Sequence, residues 1–127
     1  MPEEASKVKH YRELKVWQKG RLLVKCVYEL TARFPKEERY GLVAQMRRAA
    51  VSVPSNIAEG QARQGTGEFL MFLSHASGSL AELDTQLLLS VDLAMASDAE
   101  IRPCASLIEE LQRMLSAMRR SLQRNRG

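Results

Sequence analysis

Two cysteines in 127 residues are too few for a disulfide framework. Aromatic residues make up only 6% of the chain, so platforms for stacking single-stranded bases are scarce. With seven glycines and four prolines there is no collagenous, low-complexity or linker segment. No apolar run approaches the ~20 residues that cross a bilayer. The start of the chain, Met1 to His10, is charged and carries no apolar stretch of the secretory kind. A soluble, cytoplasmic protein with no membrane partner is expected. Phosphate-binding loops are missing too, because Gly65 and Gly67 lack the further glycines and the Lys-Ser/Thr ending. Metal chemistry is equally poorly served. Neither His10 nor His75 belongs to a Glu-x-x-His motif, and with Cys26 and Cys104 they do not reach the ligand spacing of a zinc site. No metal and no cofactor is expected.

What the chain does have is 45% hydrophobic and 27% charged residues, enough for one globular domain with one core. Its formal net charge is a modest +4, but the distribution is uneven. Residues 1–60 hold 12 Lys and Arg against 7 acids, residues 61–112 hold 2 against 8, and residues 113–127 hold 5 against none. Basic ends flank an acidic middle. Such segregation suits polyanion binding, since Lys and Arg release counterions from phosphates. It also has a plainer use, because cations in a last helical turn complement the macrodipole.

Four segments show helical spacing and none reads as a strand. The first runs from Tyr11 to Phe34, with Leu14, Trp17, Val24, Val27, Tyr28, Thr31 and Phe34 on one face, and Pro35 stops it. A second begins near Glu38 and buries Leu42, Met46, Ala49, Ala50, Val53 and Ile57 as far as Gly60, with a kink expected at Pro54. The third, about Gly67 to Ala96, carries a seam of Phe69, Leu73, Ala76, Leu80, Leu83, Leu87, Ser90 and Ala94. Ser97-Asp98-Ala99-Glu100 then forms a capping box opening a fourth helix, which buries Ile101, Cys104, Ala105, Ile108, Leu111, Leu115, Met118 and Leu122. Connections this short are closed most simply as an all-α, up-down-up-down four-helix bundle spanning 11–124, with tails at 1–10 and 125–127.

In that bundle helix 1 begins, and helix 4 ends, at one pole. Arg12, Lys15 and Lys19 would converge there with Arg63, Arg119, Arg120, Arg124 and Arg126, joined by Lys7 and Lys9. The opposite pole would hold Glu37, Glu38, Asp98 and Glu100, making the molecule electrically polar. Helix 3 has a second uncharged side, formed by Met71, Ser74, Gly78, Ala81, Thr85, Leu89 and Ala96. Small residues there allow close helix approach, so the first six are candidates for a self-association interface. A polar row on helix 2, Gln45, Arg48, Ser52, Asn56 and Glu59, lies at the edge of its apolar face. There Arg48 could pair with Glu82, and the row is read as structural. Cys26 projects away from the apolar stripe of helix 1 and Cys104 toward that of helix 4, which argues against pairing them. No catalytic constellation is found and no enzyme is expected.

The runs Tyr11-Arg12-Glu13-Leu14-Lys15-Val16-Trp17-Gln18-Lys19, Phe34-Pro35-Lys36-Glu37-Glu38-Arg39-Tyr40-Gly41-Leu42 and Gln45-Met46-Arg47-Arg48-Ala49-Ala50-Val51-Ser52-Val53-Pro54-Ser55-Asn56-Ile57-Ala58-Glu59-Gly60 form an unusual block. Together with Gly78-Ser79-Leu80-Ala81-Glu82-Leu83-Asp84-Thr85-Gln86 they resemble the four-helix-bundle proteins encoded in bacterial 23S rRNA intervening sequences, over about residues 11–123. Gly20, where an alanine-like residue is usual, and Asp84, where glutamate is common, depart from the pattern. The resemblance implies a bundle that assembles into a pentameric ring. It is also similar to the accessory variability protein of diversity-generating retroelements, which binds nucleic acid and its reverse transcriptase. The expected function is therefore a non-enzymatic oligomer binding RNA or DNA backbones through a basic pole. The alternative is an oligomeric scaffold for a protein partner with no nucleic-acid role.

Overall fold

The computed structural model describes residues 10–126, which form a four-helix bundle with no strand among them. Helix α1 spans Lys15–Thr31, α2 Leu42–Ala62, α3 Thr66–Asp92 and α4 Asp98–Arg126, with 3-10 turns at Tyr11–Glu13 and Lys36–Glu38. The tail expected over 1–10 lies, apart from His10, outside the described residues, whereas the tail expected at 125–127 is helical through Arg126.

Each helix packs on its chain neighbour, and α1 also packs on α4. Cross-helix pairs show the direction. Lys19 meets Glu110, Cys26 meets Cys104 and Arg33 meets Glu100, so α1 and α4 run in opposite senses. Ser52 bonds Ser79, and Gly60 lies against Phe69 and Phe72, so α2 and α3 do the same.

The helix ends follow local chemistry. Buried Leu14 is extended, at φ −75° and ψ 125°, which separates the first turn from α1 and shortens the helix expected from Tyr11. Gly41 precedes α2, and the Glu38 carboxylate accepts from the Leu42 amide at 3.2 Å, so α2 starts four residues later than residue spacing suggests. At the end of α3 no glycine is present, yet Ala94 adopts φ 62°. That left-handed residue, which costs roughly 1 kcal/mol for a side chain with Cβ, lets the Ser90 carbonyl accept from both Met95 (2.8 Å) and Ala96 (3.2 Å). The capping box is formed: Ser97 donates its amide to Glu100 Oε1 at 2.8 Å, and the Glu100 amide donates to Ser97 Oγ at 3.1 Å.

Leu23, Leu73, Leu80, Leu83, Leu87, Leu111 and Leu115 are fully buried and form the centre of the core. Burial of each contributes roughly 1.5–3 kcal/mol. The α3 seam is buried from Phe69 through Ser90, while Ala94 is exposed. On α1 the buried stripe is rotated from the expected one. Val16, Gly20, Leu23, Val27, Leu30 and Thr31 face inward, Trp17 and Val24 sit at the edge, and Tyr28 is exposed. Tyr28, expected on the inward face, lies instead on the α2 flank, where Arg47 covers its ring. Pro54 is buried within α2 and fits beside Gly20, whose missing Cβ leaves room: a Cβ there would stand 3.3 Å from Pro54 Cβ.

Candidate nucleic-acid interface

The register between α1 and α4 places the beginning of α1 beside the last turns of α4. The α2–α3 connection lies toward the same end, because Gly20 in the second turn of α1 abuts Pro54 in the second half of α2. The sequence-predicted cations fall into distinct states there. Arg12, Arg120 and Arg124 are exposed and make no ion pair within the described residues, although Arg124 donates to Ser121 Oγ at 3.3 Å. Arg119 is half-buried and Lys15 exposed. Lys19 is held by Glu110 at 3.3 Å, and Arg63 by Glu59 at 2.8 Å with its guanidinium 5.1 Å from the Phe72 ring. These two surface pairs are worth little to stability, but each brings a carboxylate next to the cation and lowers the local positive potential. Lys7 and Lys9 lie outside the described residues, as does the side chain of Arg126.

The other end is not the acidic pole expected. Glu100 there is paired with Arg33 at 3.7 Å, and Lys36, Arg39 and Arg47 share the region. The whole-molecule charge separation is correspondingly weaker than block counting suggests, because Glu37 and Glu38 are interleaved with Lys36 and Arg39 in one turn.

The candidate interface residues Met71, Ser74, Gly78, Ala81, Thr85 and Leu89 are all exposed in the single chain. A Cβ built on Gly78 would meet nothing within 4 Å. Leu88 on α3 and Leu93 just past its end add exposed apolar surface, at 53% and 59%. The polar row on α2 behaves differently. Ser52 and Asn56 are half-buried: Ser52 bonds Ser79 on α3, and the Asn56 amide donates to the Ser52 carbonyl at 2.7 Å. Gln45, Arg48 and Glu59 are exposed. Arg48 and Glu82 line one hollow with Gln45 and Ser52 but form no ion pair, and Glu82 Oε2 instead accepts from Gln86 Nε2 at 3.4 Å.

The cysteines are brought together, contrary to their projection from sequence. With the α1 stripe rotated, Cys26 faces α4, and the Cys104 thiol donates to Cys26 Sγ at 2.8 Å. Burial first, then the Cys26 contact and the charge of Glu29, push the Cys104 thiol far above its ordinary value. The folded chain thus keeps this proton at a pH where the unfolded chain releases it. Stability from this group is complete below about pH 9 and is lost as pH rises further. Denaturant melts across that range should show a fall of at most ~1.4 kcal/mol per pH unit from this site, and Cys104→Val should remove that component.

Among the described residues no three His, Cys, Asp or Glu side chains group to hold a metal, and no helix is long and apolar enough to cross a membrane. The class defined by the architecture is a four-helix bundle with arginine-rich ends. The chain belongs to the family of 23S rRNA-intervening sequence proteins, whose model matches residues 12–117. No match was found among curated proteins.

Proposed function

We propose that the protein is a non-enzymatic, ring-forming oligomer, pentameric as the family resemblance implies, that binds RNA or DNA backbones in the cytoplasm through the end where α1 begins and α4 finishes. The observation that carries this reading is the placing of Arg12, Arg120 and Arg124 at that end, all exposed and none opposed by a carboxylate in the described chain. Phosphate contacts need accessible, unneutralised cations, and several subunits would multiply them. Self-association is supported by the uncovered α3 stripe, where small residues and exposed leucines give a second chain an apolar surface to bury. Binding to labelled structured RNA, duplex DNA and single strands tests the function, and saturable binding to any of the three is expected. No binding at low salt would leave the protein-scaffold reading in its place. Ala81→Arg tests the interface separately. Ala81 is exposed, so the variant should fold but elute and scatter light as a smaller species. An unchanged mass would remove α3 as the contact.

A further inference from the structure

Between the end of α1 and the first half of α2 lies a cleft of about 580 Å³, adjoining a second hollow of about 510 Å³ beside the Lys36–Glu38 turn. The two share Arg39, Tyr40, Val43 and Arg47. Their size is that of small-ligand sites. No Asp or Glu lines either one, whereas Lys36, Arg39, Arg47 and Arg48 do.

Arg47 is the fixed element. Half-buried, it donates from Nε to Thr31 Oγ1 at 2.9 Å and from Nη2 to the Tyr28 carbonyl at 3.5 Å, and its guanidinium lies 4.3 Å from the Tyr28 ring centre. All these partners are neutral, so the guanidinium is oriented while its charge stays uncompensated. Arg39 and Arg48 make no ion pair in the described chain, and Glu38, the adjacent acid, is turned to the Leu42 amide. Beside these cations stand two tyrosines, Tyr28 at 42% exposure and Tyr40 at 88%, above a floor that includes Val43 and Val51. An 88% exposed tyrosine adds almost nothing to the core, yet here it forms a wall of a cationic cleft.

We propose that this cleft binds a nucleotide, with the phosphate on Arg39 and Arg47 and the base against Tyr40. Guanidinium groups match phosphate geometry, and a flat apolar ring matches a base face. An acidic peptide would engage the arginines but leave Tyr40 and the valine floor unmatched. Duplex is also a poor fit, because its bases are already stacked. The nucleotide is either free or one unit of a single strand. In the strand case the proposal rests on the nucleic-acid reading above; in the free case it stands without it.

The test uses the full chain and the double variant Arg39→Gln/Tyr40→Ala, both positions being exposed. Amide NMR titrations with adenosine monophosphate and with inorganic phosphate form one arm. Anisotropy with a labelled single strand and its duplex forms the other. Expected are adenosine monophosphate shifts centred on Thr31, Tyr40, Arg47 and Val51, or tight single-strand binding, in either case weakened about tenfold or more in the variant, with duplex affinity unchanged. If the variant matches the wild type for both nucleotide probes, the cleft is overturned, while undiminished duplex binding would leave the basic-end reading standing. Inorganic phosphate binding as tightly as adenosine monophosphate overturns the base contact and with it the proposal. A phosphotyrosine peptide that outcompetes adenosine monophosphate overturns it in favour of a protein partner.

Discussion

Changing Arg12, Arg120 and Arg124 together to glutamate is expected to lower affinity for a structured RNA or duplex DNA by about five-hundredfold or more at ~0.1 M salt. Each phosphate contact contributes a log–log salt slope of ~0.9, which is about eightfold in affinity at that salt. Three lost contacts therefore multiply to the figure given, before any repulsion from the new carboxylates. The fold should survive, because all three side chains are exposed and none holds an ion pair in the described chain. Acids near the end of α4 oppose the helix dipole, but at ~0.3–1 kcal/mol apiece this is small beside the core. Circular dichroism should remain helical. Lys19→Glu alone should matter less, since Glu110 already offsets that charge. An affinity indistinguishable from wild type in the triple variant would exclude this end as the contact surface.

Gly60→Leu is expected to be the most damaging single change in stability, by on the order of 3 kcal/mol or more. A Cβ at Gly60 would stand 2.7 Å from Phe72 Cβ and 3.0 Å from Phe69 Cδ1, so α3 must move before any larger side chain fits. Replacing glycine within a helix gains up to ~1 kcal/mol in propensity, whereas overpacking costs ~1–3 kcal/mol for far smaller insertions. The steric term decides the sign. Gly78→Ala, in an Ala81→Arg background that keeps the α3 faces apart, is the matched control: with nothing of its own chain within 4 Å it should retain the propensity gain. Urea melts of the two variants should move in opposite directions. A Gly60→Leu protein as stable as wild type would mean that α2 and α3 are not in close contact there.

The parts of the fold legible from sequence were those fixed by regular spacing. The α3 seam is buried from Phe69 to Ser90, and the Ser97–Glu100 capping box closes as its residue types require. Features set by tertiary context were harder to read. On α1, spacing put Trp17 and Tyr28 on the core face with Val24 and Val27, but aromatic rings pack well at a bundle's flank, and the true stripe passes through Gly20 and Leu23. That rotation also brings Cys26 to Cys104, against the divergence that projection gives. The C-terminal stop of α3 had no glycine to announce it, since Ala94 takes the left-handed conformation itself. Gln86, buried in the α3 seam with Oε1 unpartnered, carried no signal distinguishing it from a surface glutamine.

The candidate site divides in the same way. Linear charge counting located the arginines of α4, because a helix end collects neighbours in sequence. It did not foresee that Glu110 and Glu59 would offset Lys19 and Arg63, since those pairs depend on helix register and rotamers. Nor did it find the cleft around Arg47, whose lining is drawn from α1, a turn and α2, and whose fixed guanidinium depends on the carbonyl of Tyr28.

The most direct test of nucleic-acid binding is the anisotropy of labelled RNA and DNA with the wild-type protein across a salt series. Multi-phosphate contact predicts that log affinity falls linearly with log salt, with a slope of about −2.7 or steeper for the three arginines of each subunit. A flat response, or no binding at low salt, would contradict the account.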